Sequence, residues 1–185
     1  MPPVRPFSIL KTIKVEGDFG DKSQVREMIK SSGCKMDDTA QKIFNLGSHI
    51  FAFENYRAGF NIPLVLVSVA ELGFPNGANW KMIYDRAKEL GLSFCPWVTI
   101  PVLCLQYIDQ PIDGKLMIAI GPIRSPGGYL YTFSIQHTPD GLYLMGSNYY
   151  APAVFGAKSL FVFSLPEPVL EKSVVQEVGP DDEPF

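Results

Sequence analysis

The pattern of apolar and polar side chains first indicates strands. Over residues 7–15 the two kinds of side chain alternate, with Ile13 and Val15 on one side and Lys14 on the other. Such alternation predicts a strand with one face toward solvent. The run 63–72 is apolar and rich in β-branched side chains, which predicts a central strand that is covered on both faces.

Apolar side chains at helical spacing predict three helices. The first follows Asp21, with Gln24 completing a capping box. The second begins at Asp38 by the same logic, and the bend between these two helices predicts a helical hairpin packed on a sheet. The third runs from its N-cap Asn79 to Leu90 and has apolar side chains on one face and charged side chains on the other.

Residues 91–166 differ from the rest of the chain in carrying few charges and many turn signals. Only six of these 76 residues are Asp, Glu, Lys or Arg. Proline and glycine in 111–114, 125–128 and 138–141 predict hairpin connections between strands. The remaining strands are predicted at 49–55, 99–108, 115–123, 129–137, 142–147 and 159–165. We therefore expect an antiparallel meander in this part of the chain.

These elements predict an α+β fold with an antiparallel or mixed sheet of about seven or eight strands and three helices mainly on one side. Residues 1–166 are expected to form a single domain. Residues 167–185 contain six acidic residues, one basic residue and three prolines. We interpret them as an acidic, proline-containing C-terminal tail that buries too little surface to offset its ordering entropy.

Charge, cysteines and missing motifs narrow the class of protein. The net charge is −3, which argues against a basic nucleic-acid binder.

The sequence shows no secretory signal, and its longest apolar run is too short to cross a membrane, so a cytoplasmic protein without a membrane partner is expected. Cys34, Cys95 and Cys104 lack metal-ligand spacing and are interpreted as reduced thiols. The sequence contains no phosphate-binding loop, dinucleotide fingerprint or zinc ligand set, so neither a cofactor nor a metal is predicted.

Several short stretches of the chain carry a resemblance to a known family. They are residues 71–78, 83–92, 105–107 and 140–142. Through them, residues 9–165 resemble an uncharacterised family of small bacterial α+β proteins with no established activity. The resemblance implies a bacterial cytoplasmic or phage-associated setting, and it carries no functional residue over to this chain.

Three polar side chains are candidates for catalysis. His137 ends a predicted strand, where it is either the polar rim of a core face or a general base at the mouth of an aromatic pocket. Glu71 ends the run 63–72, where it either anchors a loop or is an acid with a raised pKa. Arg124 is the lone cation between residues 116 and 157, and it is either a solvated loop residue or a clamp for an anion. Together these residues would form a small metal-independent hydrolase or nuclease, with His137 as base and Glu71 as acid.

Tyrosines near predicted turns favour a different function. Tyr129, Tyr131, Tyr149 and Tyr150 are the predicted binding residues, and the loop 146–156 is long and apolar. Stacking on nucleic-acid bases is disfavoured because no basic rim surrounds these tyrosines. The leading hypothesis is therefore a non-enzymatic interaction module that binds a protein partner or a copy of itself, and the hydrolase or nuclease is the alternative.

Overall fold

The computed structural model describes residues 7–17, 19–46, 59–111 and 114–166. The helices in these ranges are α1 (Lys22–Ser31), α2 (Asp38–Phe44), α3 (Trp80–Glu89) and α4 (Thr99–Gln106). The strands are β1 (Ile9–Val15), β2 (Lys35–Met36), β3 (Phe60–Ser68), β4 (Ala78–Asn79), β5 (Lys115–Ile118), β6 (Ile123–Arg124), β7 (Leu130–Thr138), β8 (Gly141–Asn148), β9 (Val154–Phe155) and β10 (Leu160–Ser164). The predicted strand 49–55 and the tail 167–185 lie outside the described residues.

Most strands belong to one mixed sheet. Its order is β1-β3-β10-β5-β7-β8-β2, and β6 pairs with β7 as the eighth strand. The pairs β10–β5 and β2–β8 are parallel, and the other neighbours are antiparallel. Strands β4 and β9 form a separate two-stranded sheet. The α+β class and the mixed sheet are confirmed, with four helices in the described residues where the sequence predicts three.

The sheet is buried on both faces by two separate clusters of apolar side chains. On one face α1, α2 and α4 pack against alternate residues of the strands, such as Ile62 and Leu64 of β3. On the other face α3 and residues of the segment 149–155 cover Val65 and Val67 of the same strand. The prediction that this strand is covered on both faces is confirmed, and three of the four helices lie on one side.

Local capping explains where the helices begin. Asp21 forms the predicted capping box with Gln24 at the start of α1. Asn79 Oδ1 accepts a hydrogen bond from Met82 N at 3.0 Å and begins α3, as predicted. The prediction for α2 is wrong by one residue, because the N-cap is Asp37. The Asp37 carboxylate accepts one bond within the helix and a second from another element of the fold, a contact that local spacing does not reveal.

We expect Asp37→Ala to lower the free energy of unfolding by about 1–2 kcal/mol. Asp37 Oδ1 accepts hydrogen bonds from Ala40 N at 2.7 Å and from Gly146 N at 2.9 Å, so the variant leaves two backbone donors without this acceptor. Urea denaturation followed by circular dichroism measures the change. Asp38→Ala is the matched control, since Asp38 is an exposed residue in the first turn of the same helix. Equal effects of the two substitutions would contradict the prediction.

Helix α4 overturns the prediction of a strand at 99–108. Residues 99–104 of this helix are all buried, so an apolar run there has no polar face to reveal a helical period. Pro101 lies in the first turn of α4. Backbone N–H groups in the first turn have no acceptor within the helix, so a proline there costs no hydrogen bond. The tertiary packing of α4 against α1 and β1 therefore decides its conformation.

Other boundaries also differ from the predictions. The segment between α1 and α2 is not the bend of a helical hairpin, since it forms β2 and pairs in parallel with β8. The predicted strand 115–123 is divided into β5 and β6. Strand β10 lies between β3 and β5 and interrupts the expected meander. The hairpin turns at 125–128 and 138–141 are confirmed by the β6–β7 and β7–β8 pairing.

Candidate functional site

His137 lies near the end of β7 and is half-buried. Its Nδ1 donates a hydrogen bond to the backbone carbonyl of Gln110, because a carbonyl oxygen can only accept. Its backbone N–H donates to the Gly114 carbonyl at 3.3 Å. Phe133 and Ile135, on the same side of β7, are fully buried in the core. These contacts place His137 at the polar rim of a core face.

Glu71 lies in the turn that follows β3, and it is exposed. Its carboxylate accepts hydrogen bonds from both the hydroxyl and the backbone N–H of Ser68, each at 2.7 Å. The Ser68 hydroxyl, followed by the backbone bond, holds the pKa of Glu71 below its ordinary value. The prediction of a raised pKa is therefore wrong, because β3 ends at Ser68 and leaves the carboxylate in a solvated turn. Glu71 anchors that turn.

The structure does not bring the three catalytic candidates together. Arg124 pairs with Leu130 at the start of β7, so it lies about 23 Å along the strand from His137 at about 3.3 Å per residue. Glu71 follows β3, which is separated from β7 by β10 and β5, or about 14 Å at the usual strand spacing. Four surface cavities of 340–490 Å³ are lined by other residues. This geometry lends no support to the hydrolase or nuclease.

The described residues contain neither a cluster of metal ligands nor a helix that could span a membrane. No group of three or more His, Cys, Asp and Glu side chains in the described ranges could hold a metal ion. None of the four described helices is long and apolar enough to span a membrane.

The four tyrosines predicted to bind a partner divide into two pairs. Tyr131 packs against the core beneath α1, α2 and α4, whereas Tyr149 packs against the core beneath α3. The Tyr149 ring lies 5.0 Å from the ring of Trp80, and burial raises the pKa of its phenol. Tyr129 and Tyr150 instead expose 69% and 66% of their surface. This second pair therefore presents the larger exposed surface to a partner.

The exposed tyrosines are neighbours across the end of the β7–β8 hairpin. Tyr131 and Asn148 are the last pair of residues in the β7–β8 ladder. One residue further along each strand, Tyr149 N donates a hydrogen bond to Leu130 O at 2.7 Å. Continuing the same register places Tyr129 opposite Tyr150. Side chains of directly opposed residues stand about 5 Å apart at their Cβ atoms, so the two rings belong to one surface.

A tight turn holds Tyr129 in place. Ser125 N donates to Tyr129 O at 2.8 Å, and Gly128 N donates to Ser125 O at 2.9 Å. The buried Ser125 hydroxyl accepts from Tyr129 N at 3.1 Å. The Tyr129 ring also lies over Gly127, 3.5 Å from where a Cβ would stand. The ring is therefore oriented before any partner arrives.

We call the two exposed side chains the tyrosine patch (Tyr129 and Tyr150). Ala153 N donates to Tyr150 O at 2.9 Å, which closes a turn directly after Tyr150. Val154 is 70% exposed. Its exposure does not follow from the amino-acid pattern of the loop 146–156, because only the pairing of β9 with β4 turns Phe155 inward and Val154 outward.

Comparison with known protein families, with curated proteins and with solved structures found no match to this chain. The resemblance to a family of small bacterial proteins therefore stays a prediction.

Proposed function

We propose that this protein is a non-enzymatic interaction module that binds a second copy of itself through the tyrosine patch. The observation that supports the proposal most directly is that Tyr129 and Tyr150 are each about two-thirds exposed and flank the same end of the paired strands β7 and β8. A tyrosine has a large apolar body and only two side-chain torsions to restrain, so it contributes contact area at low entropic cost. Large aromatic side chains are also the usual anchors of protein interfaces.

The charges near the patch favour a second copy over a different partner. Residues 125–138 and 146–157 contain no Asp, Glu, Lys or Arg. Arg124 is the nearest charged residue along the chain to Tyr129, and it is exposed at the edge of the sheet region. In a two-fold symmetric contact the same patch meets itself, so an uncharged patch avoids like-charge repulsion. Homodimer interfaces are apolar and depleted in charge in the same way.

The test is the double variant Tyr129→Ser, Tyr150→Ser, measured by sedimentation velocity over a series of protein concentrations. We expect the wild-type chain to form a dimer, and we expect the double variant to associate at least about tenfold more weakly, since two anchors are lost. Both side chains are exposed, so the variant should keep the wild-type circular dichroism spectrum.

Ile108→Ser is the matched control. Ile108 is a 66% exposed apolar residue between α4 and β5, away from the tyrosine patch, so its loss should leave self-association unchanged. A wild-type chain that stays monomeric at every concentration would overturn the proposal. So would a double variant that dimerises as strongly as the wild type.

A further inference from the structure

A second candidate site lies at the β2 edge of the sheet, around Cys34. A surface cavity of about 360 Å³ is formed by the end of α1, by β2 and by α2. Its lining includes Cys34, three basic residues, Arg26, Lys30 and Lys35, and one acidic residue, Glu27. Arg26 Nε is buried there with no hydrogen-bond partner among the described residues. A thiol in an electropositive cavity is typical of reactive cysteines.

Cys34 has a second thiol beside it inside the fold. Cys104 lies on α4 and is fully buried, whereas Cys34 is 4% exposed and borders the cavity. Both belong to the apolar cluster beneath α1, α2 and α4, and a side-chain hydrogen bond between the two thiols contributes to the pKa of each. As a neutral thiol, Cys34 also donates a weak bond to the Lys35 carbonyl at 3.7 Å. The packing of α1 against α4 thus joins two cysteines that are seventy residues apart in the sequence.

The contact gives the two thiols different chemistry. The hydrogen bond from Cys104, together with the Leu144 backbone N–H, lowers the pKa of Cys34 against the opposing effect of burial. The same thiol–thiol bond, with burial second, raises the pKa of Cys104 well above its ordinary value. Cys34 is therefore the more acidic thiol of the pair and also borders the cavity, which makes it the better nucleophile, and Cys104 is the weaker acid.

We propose that Cys34 and Cys104 form a peroxide-responsive pair, which a small hydroperoxide entering the cavity converts into an intramolecular disulfide. In the first step the Cys34 sulfur attacks one peroxide oxygen. An S–O bond forms, the O–O bond breaks, and the other oxygen leaves as hydroxide. The sulfur loses two electrons to the peroxide and becomes a sulfenic acid.

In the second step the Cys104 sulfur attacks the Cys34 sulfur. The S–S bond forms, the S–O bond breaks, and the hydroxyl group leaves as water with the proton of Cys104. The basic side chains of the cavity support the first step, since they stabilise the departing hydroxide. A dithiol reductant reverses the disulfide by thiol exchange.

Cys95 differs from this pair and provides an internal control. It is buried, and its thiol donates to the Val162 carbonyl at 3.3 Å. Burial raises the pKa of this thiol, so it stays protonated at neutral pH. It should therefore not react with peroxide on the timescale of Cys34.

The test treats the reduced full-length chain with hydrogen peroxide and measures intact mass, followed by peptide mapping without reductant. We expect a mass decrease of two hydrogen atoms and a cross-linked peptide pair that contains Cys34 and Cys104, both reversed by dithiothreitol. Cys34→Ala should abolish the cross-link. Cys104→Ala should stop at the sulfenic acid, which a 1,3-diketone probe then labels at Cys34. Cys95→Ala should react as the wild type does.

The outcome is independent of the tyrosine patch, because the mass measurement does not require self-association. Circular dichroism of each variant, read before the peroxide is added, shows whether the chain is folded. A folded wild-type chain that forms no disulfide would overturn the proposal. A cross-link that includes Cys95, or labelling of Cys104 instead of Cys34, would overturn it as well.

Discussion

Trp80→Ala is expected to lower the free energy of unfolding by about 3–5 kcal/mol, the range for removing a large aromatic side chain from a core. Trp80 is 2% exposed at the first position of α3. Its ring lies 4.6 Å from Phe155, 5.0 Å from Tyr149 and 5.6 Å from Phe161, measured between ring centroids. It therefore joins α3, the segment after β8 and the sheet, and its removal leaves a cavity bordered by all three.

The measurement is urea denaturation followed by circular dichroism, compared with Met82→Ala in the same helix. Met82 is 43% exposed, so its truncation should change the free energy of unfolding by a small fraction of the Trp80 effect. Hydrogen exchange should also show lower protection in residues 149–155, since Trp80 is what packs Tyr149 and Phe155 against the sheet. Equal losses of stability in the two variants would show that Trp80 is not the anchor of this segment.

Gly146→Ala is expected to destabilise the protein by about 3 kcal/mol, the upper part of the usual range for overpacking. A Cβ at Gly146 would stand 2.5 Å from Ala40 N and 2.7 Å from the Thr39 carbonyl carbon. Both atoms are backbone in the first turn of α2, so neither can rotate away. Moving the helix would also break the hydrogen bond from Gly146 N to the Asp37 carboxylate. A glycine at this place in β8 is what lets the helix approach the sheet.

Gly156→Ala is the matched control for this second substitution. A Cβ at Gly156 meets no atom within 4 Å, and the residue is exposed. Thermal unfolding of the two variants under identical conditions should show a large drop in Tm for Gly146→Ala and almost none for Gly156→Ala. A Gly146→Ala variant as stable as the wild type would mean that α2 can shift away from β8 at little cost.

Chemically suitable residue types do not by themselves predict a catalytic site. His137, Glu71 and Arg124 were suitable in chemistry, yet they lie on β7, in the turn after β3 and on β6, and each has its own local contacts. By contrast, the two thiols of Cys34 and Cys104 carried no recognisable spacing. Their contact depends on α4 being a helix that packs against α1, which is a property of the folded chain.

The sequence by itself determined the features that arise within a few residues. The caps at Asp21 and Asn79, the amphipathic spacing of α3, and the turn at 138–141 all follow from contacts between near neighbours. Alternation likewise predicted β1, because a strand with one solvated face shows its period of two directly, and the turn signals at 125–128 and 138–141 predicted β7 between them. Tyr129 was recognisable as a binding candidate because it lies directly beside the predicted turn at 125–128.

Only the tertiary structure decided the features that depend on distant partners. Helix α4 is buried all round, so its apolar run had no period to distinguish helix from strand. The insertion of β10 between β3 and β5 rests on pairing between segments far apart in the chain. The same holds for the division of the tyrosines into partly buried Tyr131 and Tyr149 and exposed Tyr129 and Tyr150. The physical reason is common to all three: burial is a property of what packs against a residue, and the local sequence does not encode that neighbour.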